Sequence, residues 1–210
     1  MDPLKRIGAC GVVPVVVLDS AANAVPIAKA LLAGGVDVME ITLRTAAGLD
    51  SIRAVAENCP EVCVGSGTVL TLEQCKQVVD AGASFIVSPG FDSAMVEWCL
   101  ANGIAITPGC VTPTEIMAAL ALGVNVLKFF PANVYGGLSA MKALAGPFGN
   151  VKFIPTGGIS EKTLPEYISA PFIHAVGGSW FCTREDIAAG NFERITTLAG
   201  TAASIAQGRN

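Results

Sequence analysis

The chain carries a single histidine, His174, in 210 residues. That leaves no material for a His-rich metal cluster, and one isolated histidine reads as structural. Charge is also scarce. Acidic and basic side chains make up 14% of the sequence and sum to −4. The basic residues are scattered, and the few aromatics are not interleaved with arginines, which argues against a nucleic-acid surface. No uninterrupted apolar run approaches the roughly 18 residues that a membrane helix needs. Met1-Asp2-Pro3-Leu4-Lys5-Arg6 is not followed by the apolar core of a signal peptide. A soluble, cytoplasmic protein with no membrane partner is therefore expected. Cysteines 10, 59, 63, 75, 99, 110 and 182 include no CxxC pair. In so apolar a chain they read as buried thiols in a reducing compartment.

What is present is a regular alternation. Short apolar runs read as strands at Val12–Leu18, Val38–Leu43, Val62–Gly65, Phe85–Ser88, Ile104–Thr107, Val124–Phe130, Val151–Pro155 and Ile173–Val176. Helical patterning lies between them, as at Ala22–Leu32, Leu72–Ala81, Ser93–Ala101, Pro113–Leu122 and Leu138–Ala145. Asp19-Ser20, Asp92-Ser93 and Thr112-Pro113 are helix-start signals, while Gly34-Gly35, Gly82, Gly103 and Gly123 are stops. No composition break marks a linker, so one domain spanning 1–210 is expected. Eight βα units in about 200 residues predict a (β/α)8 TIM barrel at the short end of its size range. The alternative, a doubly wound open sheet, has fewer strands and often a Gly-rich turn after the first; here strand one ends in Leu18-Asp19-Ser20.

Of the seven lysines, Lys128 alone lies deep in an apolar strand, in Val126-Leu127-Lys128-Phe129-Phe130. Desolvation disfavours an ammonium ion, and a lysine amine left neutral near pH 7 attacks carbonyls to form Schiff bases. The alternative is a lysine that snorkels past a strand edge. A second polar anomaly is Val38-Met39-Glu40-Ile41-Thr42-Leu43-Arg44. With period-two alternation, Met39, Ile41 and Leu43 face the helices, and Glu40, Thr42 and Arg44 share the barrel interior. Burying Glu40 costs several kcal/mol unless it is paired, protonated or wet. A Glu40–Arg44 ion pair that only sets packing is the competing explanation.

The strand ends agree with a site at the C-terminal mouth, where barrel enzymes place their chemistry. Gly65-Ser66-Gly67-Thr68, Ser88-Pro89-Gly90 and Thr107-Pro108-Gly109 are each ordinary turn signals, but together they ring that mouth. Pro155-Thr156-Gly157-Gly158-Ile159 after strand seven and Val176-Gly177-Gly178-Ser179-Trp180 after strand eight suggest a phosphate cradle. Paired glycines expose backbone N–H groups, and the loops after strands seven and eight form the recurrent barrel phosphate site. Plain turns are the alternative.

In order along the chain, Glu40-Ile41-Thr42-Leu43-Arg44-Thr45, Gly65-Ser66-Gly67-Thr68-Val69-Leu70, Ser88-Pro89-Gly90, Leu127-Lys128-Phe129-Phe130-Pro131-Ala132, Pro155-Thr156-Gly157-Gly158-Ile159 and Gly177-Gly178-Ser179-Trp180 resemble the 2-keto-3-deoxy-6-phosphogluconate (KDPG) aldolases of the Entner–Doudoroff pathway. The resemblance implies a metal-free class I aldolase without a cofactor, usually a homotrimer, that cleaves KDPG to pyruvate and glyceraldehyde 3-phosphate. It implies that Lys128 forms the Schiff base and Glu40 is the general acid/base. Arg44 and Thr68 would bind the carboxylate of the pyruvate half, with Pro89, Phe130 and Thr156 lining that pocket. Gly157, Gly158, Gly178 and Ser179 would hold the phosphate. Asn133 stands where many relatives carry Glu, and strand one lacks the arginine of the related phosphogalactonate aldolases.

Cleavage of 4-hydroxy-2-oxoglutarate, which lacks the phosphate, belongs to the same chemistry. The phosphogalactonate substrate is an alternative, because sequence does not set the stereochemistry at C4. An isomerase or epimerase using Glu40 as a base would leave Lys128 without a role. A catalytically silent barrel binding a phosphorylated metabolite would give no borohydride-trappable adduct.

Overall fold

Each apolar run becomes a strand: β1 (Val12–Val16), β2 (Val38–Thr42), β3 (Cys63–Gly67), β4 (Phe85–Val87), β5 (Ala105–Thr107), β6 (Val126–Phe129), β7 (Lys152–Pro155) and β8 (Val176–Gly178). The computed structural model describes residues 2–208. Six strands pair in the order β5-β4-β3-β2-β1-β8, and β6 pairs with β7. Every strand pairing is parallel. Single bridges close the ring, Gly109 to Lys128 on one side and Phe153 to Ile173 and Thr156 to Gly177 on the other. The result is a (β/α)8 barrel and not an open doubly wound sheet.

Observed and expected strand limits agree within two residues except at β8. There the expected run Ile173–Val176 is displaced toward the glycines. Ile173 makes only an isolated bridge, while Gly177 and Gly178 pair with Val13 and Pro14 of β1. Glycine has no side chain to extend an apolar pattern, but its backbone pairs like any other. The second glycine pair is therefore strand backbone and not a turn.

The helices are α1 (Pro3–Cys10), α2 (Ala24–Ala33), α3 (Gly48–Asn58), α4 (Leu72–Asp80), α5 (Ser93–Ala101), α6 (Pro113–Ala121), α7 (Gly137–Ala145), α8 (Leu164–Ile168), α9 (Arg184–Ala188) and α10 (Phe192–Gln207). Asp92 caps α5 by accepting from the Met95 N–H. Thr112 and Glu115 form a reciprocal capping box on α6. Ser20 caps a short 3₁₀ turn, Ala21–Asn23, that leads into α2. In the Gly34-Gly35 stop it is Gly35, at φ +79°, that takes the left-handed conformation.

Helix α1 lies outside the βα alternation and closes the barrel floor. Asp2 caps it by accepting from the Leu4 N–H, and its buried Ile7 lines the central cavity. It is held from two sides. Arg6 pairs with Asp37, Nε to Oδ2 at 2.6 Å, and the Leu4 carbonyl meets His174 Nε2 at 2.8 Å. The lone histidine therefore has a structural contact, as its isolation suggested. No helix among the described residues is long and apolar enough to cross a membrane.

Candidate active site

Strand alternation puts Lys128 on the opposite face of β6 from Leu127 and Phe129, which are fully buried. Its backbone is held firmly. The Lys128 N–H donates to the Pro108 carbonyl at 2.9 Å, and its own carbonyl accepts from the Cys110 N–H at 2.9 Å. The side chain is 3% exposed and its ammonium nitrogen lies 5.1 Å from the centre of the Phe130 ring. Snorkelling is thereby excluded: the head does not reach water.

Glu40 comes from β2, where it sits between Val15 of β1 and Gly65 of β3. Its Oε1 lies 3.8 Å from Lys128 Nζ, and that oxygen has no hydrogen bond in the structure. The partner of Glu40 is thus Lys128, across the barrel, and not Arg44. Arg44 lies beyond the end of β2, exposed at the mouth. One wall of the pair is set by Gly67. A Cβ added there would fall 1.7 Å from Glu40 Oε1, so any larger residue would drive the carboxylate out of place.

The cavity around the pair is lined by Val13, Phe85, Val87, Thr107, Ile154 and Thr156 as well as by Ile7, Glu40 and Lys128. It is narrow and mostly apolar, so water screens the two charges little. Taking either ion out of water alone costs several kcal/mol, and each is tolerable here because the other is present. Thr42 is buried on the same strand face and its hydroxyl also lacks a partner.

The mouth is assembled from strand ends. Arg44 Nε donates to the Thr68 hydroxyl at 3.3 Å, bringing the ends of β2 and β3 together. Pro89 is half-buried after β4, and a Cβ at Gly109 would lie 2.1 Å from the Pro89 carbonyl oxygen. The segment after β6 is tied to the segment after β7. The Ala132 N–H donates to the Thr156 carbonyl at 2.8 Å, and the Asn133 N–H to the Gly157 carbonyl at 3.3 Å. Phe130 and Thr156 are thus neighbours of the Lys128 head. Gly157 and Gly158 both have positive φ, +99° and +75°, a turn that residues with a Cβ rarely adopt. Ser179 is exposed just past β8, next to buried Gly178. Gly177 allows β7 and β8 to meet here, since a Cβ on it would lie 2.3 Å from the Thr156 hydroxyl oxygen.

All eleven residues expected to form a site therefore lie in the interior or at the C-terminal mouth. Sequence reading missed Ile7 and the role of Gly67. The Asp2-Pro3 start signal marks the first, whereas nothing local to Gly67 reveals a carboxylate from the neighbouring strand. The thiols nearest the mouth do not compete as nucleophiles. Burial pushes both Cys110 and Cys182 up to about 12, leaving them protonated thiols at neutral pH.

This arrangement can do imine chemistry. Passing one proton from the ammonium to the carboxylate gives a neutral amine and a carboxylic acid 3.8 Å apart, a nucleophile beside an acid.

Residues 5–198 match the model of the family described as KDPG and KHG aldolase. The chain is 47% identical over 188 residues to the 2-dehydro-3-deoxy-phosphogluconate aldolase of Treponema pallidum, covering 90% of each. It is 45% identical over 188 residues to the KHG/KDPG aldolase of Escherichia coli K12, covering 90% of this chain and 88% of that one. The crystal structure of the KDPG aldolase of Legionella pneumophila, with pyruvate captured at low pH as a covalent carbinolamine intermediate, matches with a TM-score of 0.93. That match has 39% identity and covers 96% of this chain and 98% of that one.

Proposed function

The chain belongs to the KDPG and KHG aldolase family, and from that premise we propose that it cleaves KDPG to pyruvate and glyceraldehyde 3-phosphate through a Schiff base on Lys128. The observation that carries the reading is the meeting of Lys128 Nζ and Glu40 Oε1 at 3.8 Å in a narrow, mostly apolar cavity. An isomerase would use the carboxylate but not the amine.

In this mechanism the neutral Lys128 amine adds to the C2 ketone to form a carbinolamine. Protonation of its hydroxyl by the Glu40 acid expels water and leaves a protonated imine. The Glu40 carboxylate then removes the proton from the C4 hydroxyl. The C4–O electrons form the aldehyde carbonyl, and the C3–C4 bond pair flows into the imine, giving an enamine and releasing glyceraldehyde 3-phosphate. Glu40 returns its proton to C3, and water hydrolyses the imine to free pyruvate and regenerate the amine. One carboxyl group serves every proton transfer because both reacting centres come within its reach.

Arg44, already oriented by Thr68, would present its planar fork to the substrate carboxylate. Pro89, Phe130 and Thr156 would enclose the pyruvate half. Gly157, Gly158, Gly178 and Ser179 would hold the phosphate, a remote group whose binding orients the C3–C4 bond. Cleavage of 4-hydroxy-2-oxoglutarate to pyruvate and glyoxylate follows from the same machinery without the phosphate contacts. The buried free thiols support a cytoplasmic setting. The decisive assay couples pyruvate release from KDPG to lactate dehydrogenase. Steady oxidation of NADH supports the proposal, and no pyruvate from folded protein refutes it.

A homotrimer is part of the same reading. Leu70 after β3 and Val134 and Tyr135 after β6 expose 59%, 71% and 51% of their surface, and they are the apolar side chains available to a contact between copies at the mouth. Light scattering is expected to give three times the chain mass of 21.4 kDa; a monomer mass at micromolar concentration would overturn it.

A further inference from the structure

The proposed phosphate cradle of Gly157, Gly158, Gly178 and Ser179 has donors but no positive charge. We infer that Arg184, the first residue of α9, is the side-chain cation that binds the substrate phosphate and makes this enzyme prefer phosphorylated aldehydes. This inference rests on the proposed aldolase reading and extends it to a residue outside the motifs that carry the family resemblance.

Arg184 and Ser179 line one open cleft of about 290 Å³, together with Val15, Val17, Ile159 and Trp180. The cleft therefore adjoins the glycine turn after β7 and the serine after β8. Arg184 is the only cation among its lining residues, and Glu185 the only anion. The guanidinium is not wandering. Its Nε donates to Asp19 Oδ2 at 2.6 Å, and Nη2 donates to Asp19 Oδ1. This two-point grip across 165 residues of sequence fixes the plane of the group from one edge. Among the described residues, no hydrogen bond engages Nη1, which keeps both of its N–H donors.

The chain leaving β1 reaches Asp19, an acid, three residues past Val16. By itself it would repel a phosphate. Paired with Arg184 it becomes an anchor that presets a long, entropically costly side chain. The Arg184 hydrogen bonds hold the Asp19 carboxyl below its ordinary value, so the aspartate is an anion throughout the neutral range. Both side chains remain more than half exposed, so the free edge of the guanidinium is open to a ligand. Planar guanidinium donors match phosphate oxygens in geometry as well as in charge.

The test uses the condensation direction, in which pyruvate is joined to glyceraldehyde 3-phosphate or to glyceraldehyde. The two acceptors differ only in the phosphate. Arg184→Ala is expected to lower kcat/KM for glyceraldehyde 3-phosphate at least about tenfold, as loss of a charge-assisted hydrogen bond does. The same variant should change kcat/KM for glyceraldehyde less than about twofold. Arg184→Lys, which keeps the charge but not the fork, should fall between. The loss should appear mainly in KM and shrink at high salt. An unchanged glyceraldehyde 3-phosphate reaction, or equal losses on both acceptors, would overturn the inference. Failure of the unsubstituted enzyme to act on KDPG at all is a different outcome, and it would sink the proposed function itself.

Discussion

Replacing Lys128 with methionine is expected to lower kcat for KDPG cleavage at least about 10⁴-fold and to abolish covalent trapping of pyruvate. The magnitude follows from the removal of a covalent nucleophile, for which losses of this order or larger are usual, about 5 kcal/mol or more of barrier. Methionine nearly matches the length and apolar stem of lysine, so the packing against Phe130 and the cavity wall is kept. The measurement is borohydride reduction in the presence of pyruvate, followed by peptide mapping. Unsubstituted protein should carry one reduced pyruvate moiety on Lys128, the variant none. An adduct on another lysine, or none on folded unsubstituted protein, would end the imine mechanism. The structure makes another lysine a poor substitute. Lys5, Lys29, Lys142, Lys152 and Lys162 are exposed and Lys76 is half-buried, so none of them has the apolar enclosure of Lys128.

Glu40→Gln separates binding of the carbonyl from movement of protons. The amide keeps the shape of the carboxyl group but accepts no proton, so kcat should fall by about 10² to 10⁴, the usual range for loss of general acid–base catalysis. Lys128 should still form a trappable adduct in this variant, only more slowly. Gly67→Ala offers an independent route to the same phenotype. The carboxyl group stays in the chain, but the added Cβ at 1.7 Å from Oε1 forces it away from Lys128. Retained activity in either variant, measured by stopped-flow pyruvate release with folding checked by circular dichroism, would mean that protons move by another path. If both variants lost adduct formation entirely, Glu40 would be needed to make the amine reactive and not only for later steps.

The two predictions rest on information of different kinds. That Lys128 is anomalous could be read from seven residues, because an ammonium in the middle of an apolar strand violates the pattern wherever the strand lies. That Glu40 faces inward followed from period-two alternation, a property of one strand. The positions of the motifs at strand ends were also legible, since turn residues and caps are local. The limit of local reading shows at β8. Ile173–Val176 is apolar, yet the strand is Val176–Gly178, because β1 provides backbone partners there and glycine leaves no pattern to read.

What the sequence determined by itself was the repertoire: eight strands, an inward carboxylate, a buried amine and glycines able to turn or to be crowded. The tertiary structure alone decided which of these meet. Glu40 was free to pair with Arg44, its neighbour on the same strand face, but β2 ends before Arg44, which turns outward to Thr68. Closure of the barrel then brings Lys128 from β6 to within 3.8 Å of the carboxylate. Gly67 became a spacer for that carboxylate only once β3 lay beside β2, and Arg184 became an oriented cation only through Asp19, at the other end of the chain. The physical reason is common to all three. Alternation, capping and turn chemistry act over a few residues, whereas distances across a barrel depend on the register of every strand between, which no single segment encodes.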